Sequence, residues 1–382
     1  MGPMTESAID PLFEPFDLNA IRLANRIVMA PMTRGFARGG LPDERSIDYY
    51  ARRAASGVGL IITEGIAPAA IGEQFDGVPV FGQSSDLTIW KRIVDGVHQN
   101  GGKIIAQLWH AGIRRIQSQS TDPAQPSLGP DVAYPELIPA RAADPGRAMT
   151  GRAMSLTEVR QTIESFVVAA EACVDIGFDG VELHGAHGYL LDQFFWSVSN
   201  TRKDGYGGDL ESRLRVGLEI VQGIKQRTPS NFAVGLRFSE WKLPDYYDAT
   251  PFGDPAELAA FLQPFVTSGI DYFHASTRRF SKPAFSSDQS LAGWTKQLTG
   301  KPTIAVGSVG MHLPTSGAEP LIEPAPLENN LDEVRRALNS EEFDLIAVGR
   351  ALLADPDWVQ KIKDGRAADC IPYGSDALKE LY

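Results

Sequence analysis

At 382 residues, 43% of them hydrophobic, the chain is long enough for a large α/β core, and its formal net charge of −12 disfavours binding to nucleic acids and anionic membranes. Its apolar runs are too short to cross a bilayer, residues 1–6 lack the features of a secretory signal, and two cysteines, Cys173 and Cys370, are too few for a disulfide framework. We therefore expect a cytoplasmic protein without nucleic-acid or membrane partners.

Eight apolar, β-branched segments recur along the chain, with amphipathic helical patterns between most of them. Each is a near-continuous apolar run, which is typical of a strand covered on both faces. The predicted strands are Ile27–Pro31, Leu60–Glu64, Lys103–Leu108, Gly180–His184, Ala233–Phe238, Asp271–Ala275, Thr303–Gly307 and Leu345–Gly349. Eight such repeats close most simply into a (β/α)8 TIM barrel, and a doubly wound open sheet is the alternative.

No change of composition marks a domain boundary, so we predict a single domain over residues 1–382. A capping box at 155–158 begins one helix, and 211–227 places its apolar residues on one stripe of another. The Pro-rich segment 111–152 follows the third predicted strand. Because a connection of that length often covers a functional site, we predict a capping loop that forms a lid or a wall of the substrate channel. A passive surface excursion is the alternative.

Two polar residues lie inside predicted strands, where they need partners because unpaired burial of an amide or a cation is costly. The pyrimidine ring of a flavin supplies a partner for each. The amide of Gln107 matches N3–H and a carbonyl oxygen, and the cation of Arg237 faces N1 and O2, where it raises the reduction potential. The hydroxyl of Thr33, after the first strand, suits the O4 side of the same ring.

Glycine-bearing segments follow the seventh and eighth predicted strands, at Gly307-Ser308 and Gly349-Arg350. Barrels of this type bind phosphate groups there through backbone N–H groups, and Arg350 adds a fixed positive charge. Phosphosugar isomerases share this arrangement, but they do not explain Gln107 and Arg237.

The segment His184-Gly185-Ala186-His187-Gly188-Tyr189 follows the fourth predicted strand. Two imidazoles that donate to a developing oxyanion, with a phenol as proton source, suit the reduction of a polarised carbon–carbon double bond. The alternatives are a turn with buried, satisfied histidines, or part of a metal-dependent barrel hydrolase that also uses Glu182, which requires three converging ligands.

Taken together, these motifs resemble the old yellow enzyme family of FMN-dependent ene-reductases. The resemblance runs from 25–34 to 349–356 and is most specific over 192–213, so it covers nearly all of the chain. It implies that a set of residues from the strand ends contacts FMN. These residues are Pro31, Met32, Thr33, Gly65, Gln107, Arg237, Gly349 and Arg350.

The resemblance also implies the roles of the residues around the substrate. It assigns His184 and His187 to the substrate oxygen and Tyr189 to protonation, and Trp109 is expected in the same pocket. Non-covalently bound FMN would take hydride from NADH or NADPH and reduce an activated alkene, such as an α,β-unsaturated carbonyl or nitro compound. Reduction of nitro compounds or nitrate esters on the same site, and a non-catalytic flavin-binding barrel, are the alternatives.

Several positions depart from the family pattern, at Ile113, 209–212, 238–242 and 273–280. They leave the predicted flavin contacts unchanged but leave the substrate range open. The sequence does not separate NADH from NADPH, and the oligomeric state is open, with a homodimer as one alternative. The carboxyl tail 371–382 is expected either to reach a neighbouring subunit's site or to lie loose.

Overall fold

The computed structural model describes residues 9–82, 86–131, 151–242, 251–311 and 330–382. The strands in these residues are β1 (Phe16–Leu18), β2 (Ile21–Leu23), β3 (Ile27–Met29), β4 (Leu60–Ile66), β5 (Lys103–Leu108), β6 (Leu128–Gly129), β7 (Arg152–Ala153), β8 (Gly180–His184), β9 (Ala233–Ser239), β10 (Tyr272–Ser276), β11 (Thr303–Val306) and β12 (Leu345–Val348). The helices are α1 (Arg45–Ala55), α2 (Thr88–Gln99), α3 (Leu156–Ile176), α4 (Leu190–Phe195), α5 (Leu210–Arg227), α6 (Pro255–Thr267), α7 (Leu291–Thr299), α8 (Leu331–Asn339), α9 (Arg350–Ala354) and α10 (Trp358–Lys363).

Eight parallel strands form a closed barrel in the order β10-β11-β12-β3-β4-β5-β8-β9, and β9 pairs with β10 to complete it. The predicted TIM barrel and its eight strands are confirmed, two of them with the same bounds and six with ends that differ by one or two residues. The alternative of an open sheet is wrong because no barrel strand is left at an edge. The first strand ends at Met29 instead of Pro31, since proline has no backbone N–H to give to the ladder.

A hairpin of β1 and β2, which the sequence analysis did not predict, closes the amino-terminal end of the barrel. Its residues Leu18, Ile21 and Leu23 are buried against apolar side chains of the barrel strands, including Val28 and Leu60. The side chains that plug this end of the barrel are thus apolar. Chemistry is therefore left to the opposite end, where parallel barrels carry it.

The helices cover the outside of the barrel. Val159 and Phe166 of α3 belong to the same buried cluster as Val181 and Leu183, which alternate with the inward-facing positions of β8. The predicted capping box begins α3, since the Ser155 hydroxyl accepts from the Glu158 amide at 3.3 Å while the Glu158 carboxylate accepts from the Ser155 amide at 2.8 Å. Among the described helices, none has the length and apolar character that a membrane span needs.

The segment 111–152 is described in part, and residues 132–150 lie outside the described residues. Its first residues stay close to the barrel, where the Arg114 guanidinium lies 5.4 Å from the centre of the Tyr189 ring. Strand β6 then pairs in parallel with β7 at the end of the segment. The segment therefore begins beside the predicted substrate pocket, and its role as a lid stays a prediction.

Candidate functional site

The strand register brings the predicted polar residues to one end of the barrel. Gly65 of β4 is opposite Gln107 of β5, which in turn is opposite Glu182 of β8. One level higher, His184 of β8 is opposite Arg237 of β9. Because side chains two residues apart on a strand share a face, Glu182 and His184 both point into the barrel.

A buried carboxylate that the sequence analysis considered only as a metal ligand lies at the centre of this end. Glu182 is fully buried and accepts three hydrogen bonds, from Gln107 Nε2 at 2.8 Å, His274 Nδ1 at 2.9 Å and the Tyr272 hydroxyl at 3.3 Å. Burial raises the pKa of the Glu182 carboxyl, but the hydrogen bonds from His274 and Gln107 and the charge of Arg237 outweigh it, so the pKa lies below its usual range. Glu182 is therefore an anion inside the barrel.

Gln107 and Arg237, for which a flavin was the predicted partner, also have hydrogen-bond partners within the protein. Gln107 donates to Glu182, and the Arg237 Nη2 group donates to the Ser276 hydroxyl at 3.3 Å. The Arg237 Nε group, however, is buried and has no hydrogen-bond partner within the described part of the chain. Burial lowers the pKa of Arg237 to about 10, so its side chain remains a cation at neutral pH.

The predicted His-His-Tyr group and Trp109 lie together above these residues. The His184 ring centre is 5.0 Å from that of His187 and 5.3 Å from that of Tyr189. The Tyr189 ring in turn meets the edge of Trp109 at 4.8 Å. Four rings that sequence analysis assigned to substrate are thus within contact distance of one another.

Backbone and side-chain hydrogen bonds hold the turn between His184 and Tyr189. His187 adopts a left-handed backbone with φ of 61°, which is strained for a residue with a side chain. Its amide donates to the Ser239 hydroxyl at 2.9 Å, and one ring nitrogen lies 2.9 Å from the Ser276 hydroxyl. The next amide, of Gly188, donates to Asp192 at 2.7 Å. These bonds fix the direction of the His187 ring.

Both histidines are neutral at physiological pH. Burial lowers the pKa of His184 and of His187 well below 6.5, and the nearby charge of Arg237 lowers both further. A neutral imidazole still carries one N–H donor, so each ring can donate one hydrogen bond to an oxygen. The Nδ1 atom of His184 is buried without a partner among the described residues.

Two of the segments that depart from the family pattern, 238–242 and 273–280, meet at the edge of this group. Trp241 stacks on the His187 ring with centres 4.1 Å apart and an angle of 20° between the planes. The Arg278 guanidinium lies 4.2 Å from the centre of the Trp241 ring. Neither residue was predicted to be part of the site. Their only signal was the unusual composition of 238–242 and 273–280.

The glycine-bearing segments after β11 and β12 also come together. A Cβ atom on Gly310 would lie 3.2 Å from the Cβ of Ala351, and one on Gly307 would lie 2.7 Å from the Phe280 amide nitrogen. Ser308 has a positive φ of 58°, and its hydroxyl donates to the carbonyl of Arg278 at 2.7 Å. The segments after β11 and β12 therefore meet at Gly310 and Ala351, next to the predicted phosphate residue Arg350, while Gly307 packs against the chain that follows β10.

The residues predicted from the first two strand ends line the same opening. Met32 lies against Gly349, since a Cβ on that glycine would be 3.4 Å from the Met32 sulfur. Thr33 is exposed and Pro31 is half-buried. A Cβ on Gly65 would lie only 2.5 Å from the Trp109 ring, so any side chain at Gly65 would displace that tryptophan.

The carboxyl tail packs against its own chain. Arg34, which follows Thr33, donates through Nη2 to the carbonyls of Ala377 and Glu380 at 3.0 and 2.8 Å. The Tyr382 ring lies 4.1 Å from the Arg52 guanidinium. Neither expectation for 371–382 describes this arrangement, in which the tail covers the chain that follows β3.

The geometry disfavours the alternative of a metal-dependent hydrolase. His184 and His187 neighbour each other, but Glu182 is turned toward Gln107, His274 and Tyr272. In the described ranges, no group of three or more His, Cys, Asp or Glu side chains is placed to hold a metal ion.

Comparison with known proteins gives one family and a consistent set of relatives. Residues 11–325 match the model of the NADH:flavin oxidoreductase / NADH oxidase family. The chain is 30% identical to 12-oxophytodienoate reductase 7 of Oryza sativa subsp. japonica over 363 residues, which cover 92% of this chain and 88% of the relative.

Two solved structures share the architecture over nearly the full length. The old yellow enzyme of Pichia sp. AKU4542 is 26% identical, with a TM-score of 0.78 and coverage of 97% of this chain and 90% of that one. Morphinone reductase in complex with tetrahydroNAD is 25% identical, with a TM-score of 0.76 and coverage of 96% and 93%. These similarities confirm the resemblance that the sequence motifs indicated.

Proposed function

Because the chain belongs to the NADH:flavin oxidoreductase / NADH oxidase family, of the old yellow enzyme type, we propose that it reduces the carbon–carbon double bond of activated alkenes. The proposed substrates are α,β-unsaturated carbonyl and nitro compounds, with FMN as cofactor and NADH or NADPH as hydride donor. The single observation that carries this proposal is the convergence of two neutral imidazoles and a phenol directly above a buried cation.

Residues of the barrel mouth fit FMN on two independent observations. The Arg237 Nε donor is buried and has no partner in the residues that the structure describes, so it is available to an acceptor such as the flavin N1–O2 edge. At Gly307 a Cβ would lie 2.7 Å from the Phe280 amide nitrogen, so this position has no room for a side chain, which suits a stretch of bare backbone that approaches a phosphate. We assign Pro31, Met32, Thr33, Gly65, Gln107, Arg237, Gly307, Ser308, Gly349 and Arg350 to FMN.

When bound, FMN supplies the transfer of hydride from the nicotinamide to the β-carbon of the alkene. His184 and His187 each donate one hydrogen bond to the carbonyl or nitro oxygen, which draws electron density away from that carbon. Tyr189 gives its phenolic proton to the α-carbon. Trp109 packs against Tyr189 and holds its ring in place.

One structural relative supports the nicotinamide donor, since morphinone reductase forms a complex with tetrahydroNAD. The residues of the site favour neither NADH nor NADPH. The single domain, the cytoplasmic location and a homodimer likewise remain proposals. The role of segment 111–152 as a lid is proposed because its start already reaches Tyr189 through Arg114.

The proposal is tested on purified protein that has been offered FMN and freed of excess cofactor. We expect the visible absorbance bands of a bound oxidised flavin, their loss on anaerobic mixing with NADH or NADPH, and their return on addition of an enone or nitroalkene. The product must be the saturated compound. A protein that stays colourless contradicts the proposal, and a coloured protein that neither nicotinamide bleaches is a flavin-binding barrel without this activity.

A panel of acceptors separates the main proposal from its alternative. Nitrate esters release nitrite when reduced, and nitroaromatic compounds give reduced nitrogen products, whereas enones give saturated ketones. Re-oxidation by nitro compounds or nitrate esters alone, with enones inert, would favour the alternative reductase function on the same site.

A further inference from the structure

A buried acid–base group lies beneath the proposed FMN site, and no role has so far been given to it. Glu182 and His274 have no measurable exposure, and Tyr272 is equally buried. Glu182 accepts from Gln107 on one carboxylate oxygen and from His274 and Tyr272 on the other. Such a complete set of donors is expected only where a buried charge is retained.

The ionised carboxylate fixes the orientation of the Gln107 amide. A carboxylate is only an acceptor, so the group that faces it must be the NH2 end of the amide and cannot be the oxygen. Gln107 Oε1 is then turned away from Glu182, and it makes no hydrogen bond within the described part of the chain. An acceptor at this position matches the N3–H donor of a flavin. An uncharged residue at 182 could face either end of the amide.

The same carboxylate compensates the charge of Arg237. Glu182 lies on β8 opposite Gly235, two residues before Arg237 on the neighbouring strand. Each of these two buried groups favours the charged form of the other. The remaining groups around Glu182 are neutral, because burial lowers the pKa of His274 and raises the pKa of Tyr272. Water and salt screen buried charges poorly, so this pair dominates the local field.

We propose that Glu182 is a positioning residue for FMN, which turns the oxygen of Gln107 toward the flavin and offsets the charge of Arg237, thereby lowering the reduction potential. The inference rests on the proposed function. A flavin gains negative charge on reduction, so a cation beside it raises the potential and a compensating anion lowers it. Arg237 alone would make the cofactor a stronger oxidant than the pair does.

The first test compares Glu182→Gln with wild-type protein, both reconstituted with FMN. We expect the reduction potential of bound FMN to rise in the variant. Sulfite, which adds to electron-poor flavins, should bind about tenfold more tightly, the equivalent of one pKa unit of interaction. The matched control is Glu73→Gln, which neutralises another buried glutamate, one that lies 3.7 Å from Arg115 and is not among the proposed FMN contacts. The control should leave both quantities unchanged.

A second variant, Glu182→Asp, separates orientation from charge. The shorter side chain keeps the negative charge but withdraws from Gln107, so we expect FMN to bind about tenfold more weakly, a loss typical of one hydrogen bond, while the potential stays near that of wild type. This variant also provides the test if Glu182→Gln fails to fold.

The outcomes distinguish this inference from the proposed function. An unchanged potential and unchanged sulfite affinity in Glu182→Gln, in a wild-type background that binds FMN and is bleached by a nicotinamide, overturn the positioning role alone. In Glu182→Asp, a shifted potential with unchanged FMN affinity overturns it as well. Wild-type protein that binds no FMN overturns both.

Discussion

The inner floor of the barrel mouth and its rim are built in different ways. The floor consists of Gln107, Glu182, Arg237 and His274, which barrel strands place by register and which are buried on all sides. The rim consists of five aromatic rings that pack on one another, one at the last position of β8, His184, and four in the segments that follow the strands, Trp109, His187, Tyr189 and Trp241. Strand pairing fixes the positions of the floor residues, whereas the sequence of the segments between strands and helices can vary without loss of the fold.

This difference assigns distinct tasks to the two regions. The floor carries one buried cation and one buried anion, and these set the electrostatic environment of a cofactor. The rim carries neutral donors and aromatic faces, which contact a substrate. We therefore expect floor variants to change cofactor properties for every substrate, and rim variants to change the reaction with the alkene.

The largest expected effect is on the rim, at Tyr189. Tyr189→Phe removes the proposed proton donor and keeps the ring that packs against Trp109. We expect alkene reduction to slow by about 10²–10⁴-fold, the usual contribution of a general acid. Stopped-flow measurement of flavin re-oxidation by an enone checks this. The control is flavin bleaching by the nicotinamide in the same variant, which should be nearly unaffected, and equal losses in both half-reactions would contradict the assignment.

Substitution of His184 tests whether the rim binds the oxygen atom of a substrate or of an inhibitor that resembles it. A phenolate resembles the enolate oxygen of the reduced substrate, and His184→Ala removes one donor to it. We expect its binding to weaken by about 10- to 150-fold, as for one hydrogen bond to a charged group. Titration of the long-wavelength charge-transfer band measures the affinity. His98→Ala is the control because that histidine pairs with Asp179 away from the barrel mouth. Phenol affinity that is equal in wild type and His184→Ala would remove His184 from the site.

The sequence contained enough to predict the floor's position but not its internal contacts. The two-residue spacing of Glu182 and His184 places both on one strand face, and the order of strands predicts that their ends meet. Which side chain of β10 reaches Glu182 depends on the stagger between strands, and one sequence does not specify it. Glu182 was therefore considered as a metal ligand, and its partners His274 and Tyr272 were missed.

Different physical causes explain the other omissions. The hairpin β1–β2 has strands of three residues each, too short for a periodic apolar pattern. Trp241 and Arg278 are neighbours only because their loops follow adjacent strands, β9 and β10. The glycine segments after β11 and β12 were predicted to lie together, because close backbone packing leaves a clear trace in composition.

The pH dependence of the free energy of unfolding tests how strongly burial disfavours the protonated form of His110, which follows β5. Burial and, to a smaller extent, the charge of Arg115 lower the pKa of His110 to about 3, whereas an unfolded histidine titrates near 6.5. Below pH 6.5 the unfolded state therefore binds a proton that the folded state does not. This one residue should lower the free energy of unfolding by about 1.4 kcal/mol per pH unit as the pH falls from about 6 toward 3.

Chemical denaturation of wild type and His110→Asn at several pH values checks this contribution. Asparagine retains an acceptor for the Gly112 amide, which donates to His110 at 3.0 Å, but it cannot bind the proton. Glu64 changes the free energy of unfolding in the opposite direction. Burial raises its pKa to about 7, so the folded state takes up a proton first and gains stability from this residue as the pH falls. The difference in slope between wild type and variant isolates His110, and parallel slopes would show that it titrates normally.

The smallest expected effect is at Trp241. Substitution of this residue tests directly whether the rim can be changed without an effect on the floor. Trp241→Ala removes the ring that stacks on His187 at 4.1 Å, a contact that contributes about 0.5–1.5 kcal/mol. Phenol affinity should therefore fall by about 2- to 12-fold, and Trp241→Phe should restore part of it because a smaller ring still stacks. The potential of bound FMN should not move in either variant, since Trp241 carries no charge and stacks on a neutral ring of the rim, that of His187. A potential that shifts with phenol affinity would mean that the rim sets the cofactor's environment too, and the division between the two regions would then fail.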